Sequence, residues 1–223
     1  MPANHFDLLV FDWDGTLMDS VASIVACMQR AAGDLDLPQL SEERVRRTLG
    51  LGLRDCMVAL GLEDAEPLWD QLVERYRHHW FSSFRELPVL FPGAEAALRG
   101  LAARGYLLAV ATGKSRRGLD RDLESAGLEG FFHATRTVDE ARSKPHPQML
   151  LDLMEELGAS PRATLMVGDT TYDLEMASSA GAAAVAVASG GHPTEDLLRC
   201  NPLACLGTVA DLPPWLAGEG SVR

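Results

Sequence analysis

Four short apolar runs, Leu8-Leu9-Val10-Phe11, Leu107-Leu108-Ala109-Val110, Thr164-Leu165-Met166-Val167 and Ala184-Val185-Ala186-Val187, each give way to a polar or glycine-bearing turn and then to a helical pattern. This recurrence restricts the fold more than any other feature of the chain. Runs this short, apolar on successive residues and rich in branched side chains, suit strands buried on both faces. Strands that alternate with helices build βαβ units. The expected architecture is α/β: a three-layer Rossmann-like core with a mainly parallel sheet, helices covering both faces. Ligands of such sheets gather outside the carboxyl ends of the strands.

The interval between the first and second runs is too long for one crossover helix, and its pattern is helical throughout: Val21 to Ala32, Ser41 to Leu49 with Ser41 as N-cap, Leu53 to Leu60, and Ala65 to Phe84. It reads as an inserted all-helical cap subdomain over residues 19–86, with residues 1–18 and 87–223 forming the core. The expected hinges are Leu17 to Ser20 and Leu87-Pro88. The core resumes with a helix start at Phe91-Pro92-Gly93, and the tail from Gly218 to Arg223 reads as frayed.

A chain of 223 residues with 47% hydrophobic content can build a core plus such an insertion. Its net charge of -12 argues against nucleic acid or a membrane surface as partner, because both demand a basic face. The four cysteines, Cys27, Cys56, Cys200 and Cys205, form no C-x-x-C pair and read as reduced thiols. The start MPANHFD has no signal-peptide character, and no apolar run approaches the roughly 20 residues that span a bilayer. The expected location is cytoplasmic and the expected state a monomer or homodimer, and a small anionic substrate stays compatible with the charge if the few cations are placed locally.

Polar residues cluster where the runs end. Phe11-Asp12-Trp13-Asp14-Gly15-Thr16 places two acids one residue apart at the end of a buried strand, where they persist only beside a cation, a shared proton or a reaction. Ala111-Thr112-Gly113-Lys114-Ser115 follows the second run, and backbone amides at such a turn suit phosphate oxygens. Ser143-Lys144-Pro145-His146-Pro147 precedes a helix expected over Gln148 to Leu157, and Gly168-Asp169-Thr170-Thr171-Tyr172-Asp173 puts two more acids after the third named run. The chain has only two lysines, Lys114 and Lys144, and both lie in these turns, where a compact ammonium suits phosphate. Four carboxylates on one rim call for a hard cation, and oxygen ligands of this kind select Mg²⁺. One carboxylate could then attack phosphorus while its neighbour two residues on handles the proton, with Thr112 and the lysine neutralising the phosphoryl charge.

Read in that order, DWDGTLMDS, ATGKS, SKPHP and GDTTYD resemble the four motifs of the haloacid dehalogenase superfamily, specifically phosphatases with a helical cap inserted after the first motif, and most of all phosphoglycolate phosphatase-like members. The resemblance spans essentially the whole chain. It implies Asp12 as nucleophile and Asp14 as general acid and base. It also implies Mg²⁺ held by Asp12, the Asp14 backbone carbonyl and Asp169, with Asp173 supporting the metal shell. Thr112 and Gly113 match the phosphate-binding second motif, and Lys144 the lysine of the third. Dehalogenating members lack an acid at the position of Asp14, so its presence argues for phosphate ester hydrolysis, with a small phosphorylated molecule as the partner that the resemblance implies.

Other readings are weaker. Gly113-Lys114-Ser115 imitates the end of a Walker A loop, but the leading glycine position is Leu108; Gly50-Leu51-Gly52 imitates a dinucleotide fingerprint, but its third glycine position is Asp55. A phospho-Asp signalling module without turnover uses similar groups in a different order and lacks an inserted cap. A phosphomutase of the beta-phosphoglucomutase type is the other alternative, distinguished by dependence on a bisphosphate activator. The turn Gly50-Leu51-Gly52-Leu53 with Arg54 is the expected substrate-specificity element, Gly52 allowing close approach and Arg54 offering a guanidinium to an anionic leaving group. Trp13 reads as a core or cap-facing side chain, His78-His79 as a half-exposed face, and His146 carries no assigned role.

Overall fold

The computed structural model describes residues 6–82 and 89–218. The segment holding the expected Leu87-Pro88 hinge and the expected helix end near Phe84, and the tail after Gly218, lie outside the described residues. The chain runs β1 (Leu8–Phe11), α1 (Val21–Gly33), α2 (Glu42–Arg46), α3 (Leu53–Ala59), α4 (Trp69–Ser82), α5 (Ala94–Ala103), β2 (Leu107–Ala111), α6 (Arg116–Ser125), β3 (Ala134–Arg136), α7 (Gln148–Leu157), β4 (Thr164–Gly168), α8 (Thr171–Ala180), β5 (Ala183–Val187), α9 (Thr194–Arg199), β6 (Cys205–Leu206) and α10 (Leu212–Leu216).

The six strands form one sheet in the order β3-β2-β1-β4-β5-β6, and every pairing is parallel. The chain works outward from β1 on one side and then returns to its other side, so β1 and β4 meet where the strand order reverses, the place where such sheets bind ligands. Register fixes what meets there. Phe11 stands opposite both Val110 and Val167. The residues that follow these three strands therefore leave the sheet at one level.

The apolar runs are continuous because both faces are buried. Leu9, Phe11, Leu108, Val110, Leu165 and Val167 pack to one side with α5 and α6, while Leu8, Val10, Ala109 and Met166 pack to the other with α7 and α8. That two-sided burial is the signature of a parallel sheet between helical layers. Strands β3 and β6 were not anticipated from the sequence. They are three and two residues long, and Thr135 and Arg136 break the apolar pattern.

Helices α1 to α4 have a separate apolar cluster built around Val25, Met28, Leu40, Val45, Met57 and Leu72. Ser41 caps α2 as expected, its hydroxyl accepting from Arg44 N at 3.3 Å. The helix is shorter than its pattern suggests, ending before the turn in which Gly50 takes φ +88. The helix expected from Ala65 begins instead at Trp69, preceded by the 3₁₀ turn Glu63–Leu68; Pro67 lacks the N–H that an α-helix interior uses. Where the chain leaves the sheet layer and returns, its two crossings run side by side: Asp19 N donates to Val89 O at 2.8 Å and Phe91 N to Leu17 O at 2.9 Å. No helix among the described residues is long and apolar enough to cross a membrane.

Candidate active site

Asp12 follows β1 directly and is buried, its backbone N donating to Val167 O at 2.9 Å. Its Oδ1 accepts from Trp13 N at 2.7 Å and lies 2.7 Å from Lys144 Nζ. Its Oδ2 is buried with no hydrogen-bond partner. A buried carboxylate oxygen left unpaired is costly, so the arrangement points to a group that the protein chain does not itself supply.

Asp169, from the end of β4, and Asp173, in the first turn of α8, complete a cluster with Asp12 in which one oxygen from each lies within 4.8 Å of the others. Asp169 Oδ1 accepts from Thr16 Oγ1 and its Oδ2 from Gly191 N, each at 2.7 Å. Asp173 Oδ2 accepts from Thr170 N and Thr170 Oγ1 in a capping box, leaving Oδ1 facing Lys144 Nζ at 2.6 Å. Gly15, at φ +83, lets the turn pass against Asp169, where a Cβ would collide with the carboxylate.

The electrostatics follow from burial. It raises Asp12 well above the usual carboxylate range; Lys144 opposes the shift, and Asp173 and Asp169 reinforce it. Asp169 is pushed up to about 7, by burial first and then by Asp173. Burial alone would lower Lys144, but the Asp12 and Asp173 carboxylates overcome that and hold the ammonium above its ordinary value. Three clustered carboxylates, all hard oxygen donors, fit a divalent cation.

Asp14 joins a second network. Its carboxylate accepts from Ser20 Oγ at 2.6 Å and from Lys114 Nζ at 3.0 Å through both oxygens. Lys114 Nζ also lies 3.1 Å from Asp122 Oδ2 and 4.5 Å from the centre of the Trp80 ring on α4. Asp122 accepts from the indole N–H of Trp13 at 3.0 Å. Trp13 is fully buried in the core and does not line the cleft.

Thr112 and Gly113 leave β2 at the rim, where the Thr112 hydroxyl accepts from Lys114 N at 3.2 Å. Gly113 is required by proximity: a Cβ there would lie 2.6 Å from both Gly50 O and Leu51 O. Gly52 N donates to Ser143 Oγ at 2.9 Å. The expected specificity turn therefore sits directly on the second and third motifs. Arg54 lines the same cleft, but its guanidinium is exposed and paired with Asp70 at 2.5 Å. The cleft encloses about 560 Å³ and runs from Asp12, Asp14 and Thr112 to side chains of α1 and α4.

The sequence places the carboxylates of Asp12, Asp14, Asp169 and Asp173 on one rim with Lys144; the structure gathers these residues except the Asp14 side chain, which turns to Lys114, and Thr16, Ser20, Asp122 and Lys114 carry no sequence-assigned role. Asp122 had a usable signal. It lies on the same buried stripe of α6 as Gly118, Leu119 and Leu123, an acid among core positions.

A family model described as "Haloacid dehalogenase-like hydrolase" matches residues 9–187. The chain belongs to the haloacid dehalogenase-like hydrolase family. Within that family it is 39% identical over 212 residues to a protein of Dickeya dadantii (strain 3937) named "Probable phosphatase IndB", covering 92% of this chain and 91% of that one. It is 31% identical over 196 residues to a phosphoglycolate phosphatase of Pasteurella multocida (strain Pm70), covering 83% and 87%. A crystal structure from Haemophilus somnus 129pt, of a "predicted phosphoglycolate phosphatase", superposes with a TM-score of 0.84 at 26% identity, covering 94% of this chain and 97% of that one. These three relatives are named as phosphatases.

Proposed function

We propose that this chain is a Mg²⁺-dependent phosphatase that hydrolyses a small phosphomonoester through an aspartyl-phosphate on Asp12. The observation that carries the proposal is the Asp12 carboxylate: Oδ1 is held by Lys144 and Trp13 N, and Oδ2 is buried without a partner. A carboxylate fixed at one oxygen and free at the other is oriented to attack.

In this reading Asp12 Oδ2 attacks phosphorus, the bond to the ester oxygen breaks, and Asp14 gives its proton to that oxygen as the alcohol leaves. Asp14 then takes a proton from water, which attacks phosphorus and releases orthophosphate with Asp12 restored. Lys144 opposes the burial that favours a protonated Asp12 and counters phosphoryl charge, while Thr112 and the backbone at Gly113 hold phosphoryl oxygens. Asp12, Asp169 and the Asp14 carbonyl would hold Mg²⁺, supported by Asp173. The bound ion would offset the negative charge shared by the acids and the phosphoryl group.

Residues 19–86 act as a cap over the sheet rim. The contact of Gly50 and Leu51 with Gly113 supports this, because a lid touching the phosphate turn excludes water from it. Phosphoglycolate, the substrate that several relatives are named for, is the first compound to try. The reduced cysteines support a cytoplasmic location.

The test is orthophosphate release from a panel of phosphorylated metabolites with Mg²⁺ or with EDTA, by the native protein and by Asp12→Asn. Loss of release in EDTA and in the variant is expected. Release that persists in either would contradict the proposal.

A further inference from the structure

We propose that the leaving-group end of the cleft takes an aromatic or largely apolar group, so that the preferred substrate is the phosphomonoester of such an alcohol rather than of a short hydroxy acid. The inference rests on the phosphatase reading above and narrows its substrate.

On the helical side of the cleft an apolar patch of Met28, Val45, Leu49, Val73, Tyr76 and Trp80 lies beside the charged Arg54, Asp55, Asp70 and Arg77. The Tyr76 and Trp80 rings stack on each other, 6.2 Å apart and 17° from parallel, and the pair adds aromatic area to this side of the cleft. A cleft of about 560 Å³ is in the range that accommodates drug-sized ligands, and a two-carbon acid would leave most of it empty.

The charges disfavour a carboxylate. Lys114, the cation in contact with Asp14, is already shared between Asp14 and Asp122 and covered by the Trp80 ring. Arg54 is paired with Asp70, and Arg142 Nη1 lies 3.0 Å from His146 Nε2. Arg54, Arg77 and Arg142 are all exposed at the rim. Lys114, the buried cation of the lining, is engaged by Asp14 and Asp122, so the lining offers a second anionic group no buried, unpaired cation among the described residues. Tyr76 adds one polar handle: burial, then the Asp14 charge, holds its phenol well above its ordinary pKa, so it stays a neutral donor.

The experiment compares 2-phenylethyl phosphate, ethyl phosphate and 2-phosphoglycolate, whose leaving oxygens are all alkoxides, so that differences report binding of the organic group. We expect kcat/KM for the phenylethyl ester to exceed both others by about tenfold or more, expressed mainly in KM, and Tyr76→Ala to shrink that advantage. Calorimetry of the same compounds with Asp12→Asn reads binding without turnover and should show the same order. Equal values, or preference for phosphoglycolate, would overturn the inference while Asp12-dependent phosphate release left the phosphatase reading intact. If the native protein releases no phosphate from any ester, the phosphatase reading falls, and the calorimetric order still decides whether the cleft prefers an aromatic group.

Discussion

Lys144 Nζ lies 2.7 Å from Asp12 Oδ1, with both side chains shut away from water. The same ammonium faces Asp173 Oδ1 at 2.6 Å, so one cation offsets two buried carboxylates. Lys144→Met leaves those carboxylates uncompensated, and removing one partner of a buried ion pair costs about 3–5 kcal/mol. We expect a loss of that size in denaturant unfolding of the metal-free protein, partly recovered with Mg²⁺. An unchanged midpoint would show that the acids are protonated or solvated instead.

Asp169, pushed up to about 7 by burial and by Asp173, holds a proton in the folded state that an unfolded carboxylate loses near its ordinary value of 3.8. Between those pH values the folded chain binds more protons than the unfolded one, so the stability of the metal-free protein falls as pH rises from about 4 to about 7. A divalent ion bound by the cluster would take the place of that proton. The rise in Tm produced by Mg²⁺ should therefore grow between about pH 5 and about pH 8, and thermal melts with and without the ion measure it. A Mg²⁺ effect independent of pH would contradict the assignment.

Lys114 fixes Asp14 and meets Trp80 across the cleft. Lys114→Gln removes the charge that orients Asp14 and leaves Asp14 and Asp122 without a shared cation. We expect kcat to fall by about 10- to 100-fold with a smaller change in KM, because general acid–base catalysis depends on position. A change confined to KM would make Lys114 a substrate contact only.

Gly113 is pressed against the carbonyls of Gly50 and Leu51. In Gly113→Ala the added carbon must push the helical segment off the rim, and a shift of about 1 Å can cost on the order of 100-fold in rate. Steady-state kinetics should show that loss with the fold retained by circular dichroism. Activity near that of the native protein would mean that this contact is dispensable to closure.

The strands of the sheet centre were legible because burial on both faces imposes consecutive apolar residues, as in Leu8 to Phe11 and Leu165 to Val167. The acid cluster was legible for a related reason. Asp12 and Asp169 each follow a strand, and parallel register carries them to one level without further information. Strand β3 escaped notice because an edge strand needs few apolar residues. The Asp14–Lys114–Asp122 network and the Tyr76–Trp80 stack depend on how α4 and α6 pack against the rim. No local pattern encodes that packing, although Asp122 on an apolar stripe was a trace of it.

In the proposed reaction Asp12 carries the phosphoryl group. The direct measurement is mass spectrometry of peptides from protein denatured with acid during turnover in Mg²⁺. We expect a gain of one phosphoryl group on the peptide containing Asp12, absent from Asp12→Asn and from protein treated with EDTA. A phosphoryl group on another residue, or undiminished phosphate release by Asp12→Asn, would contradict it.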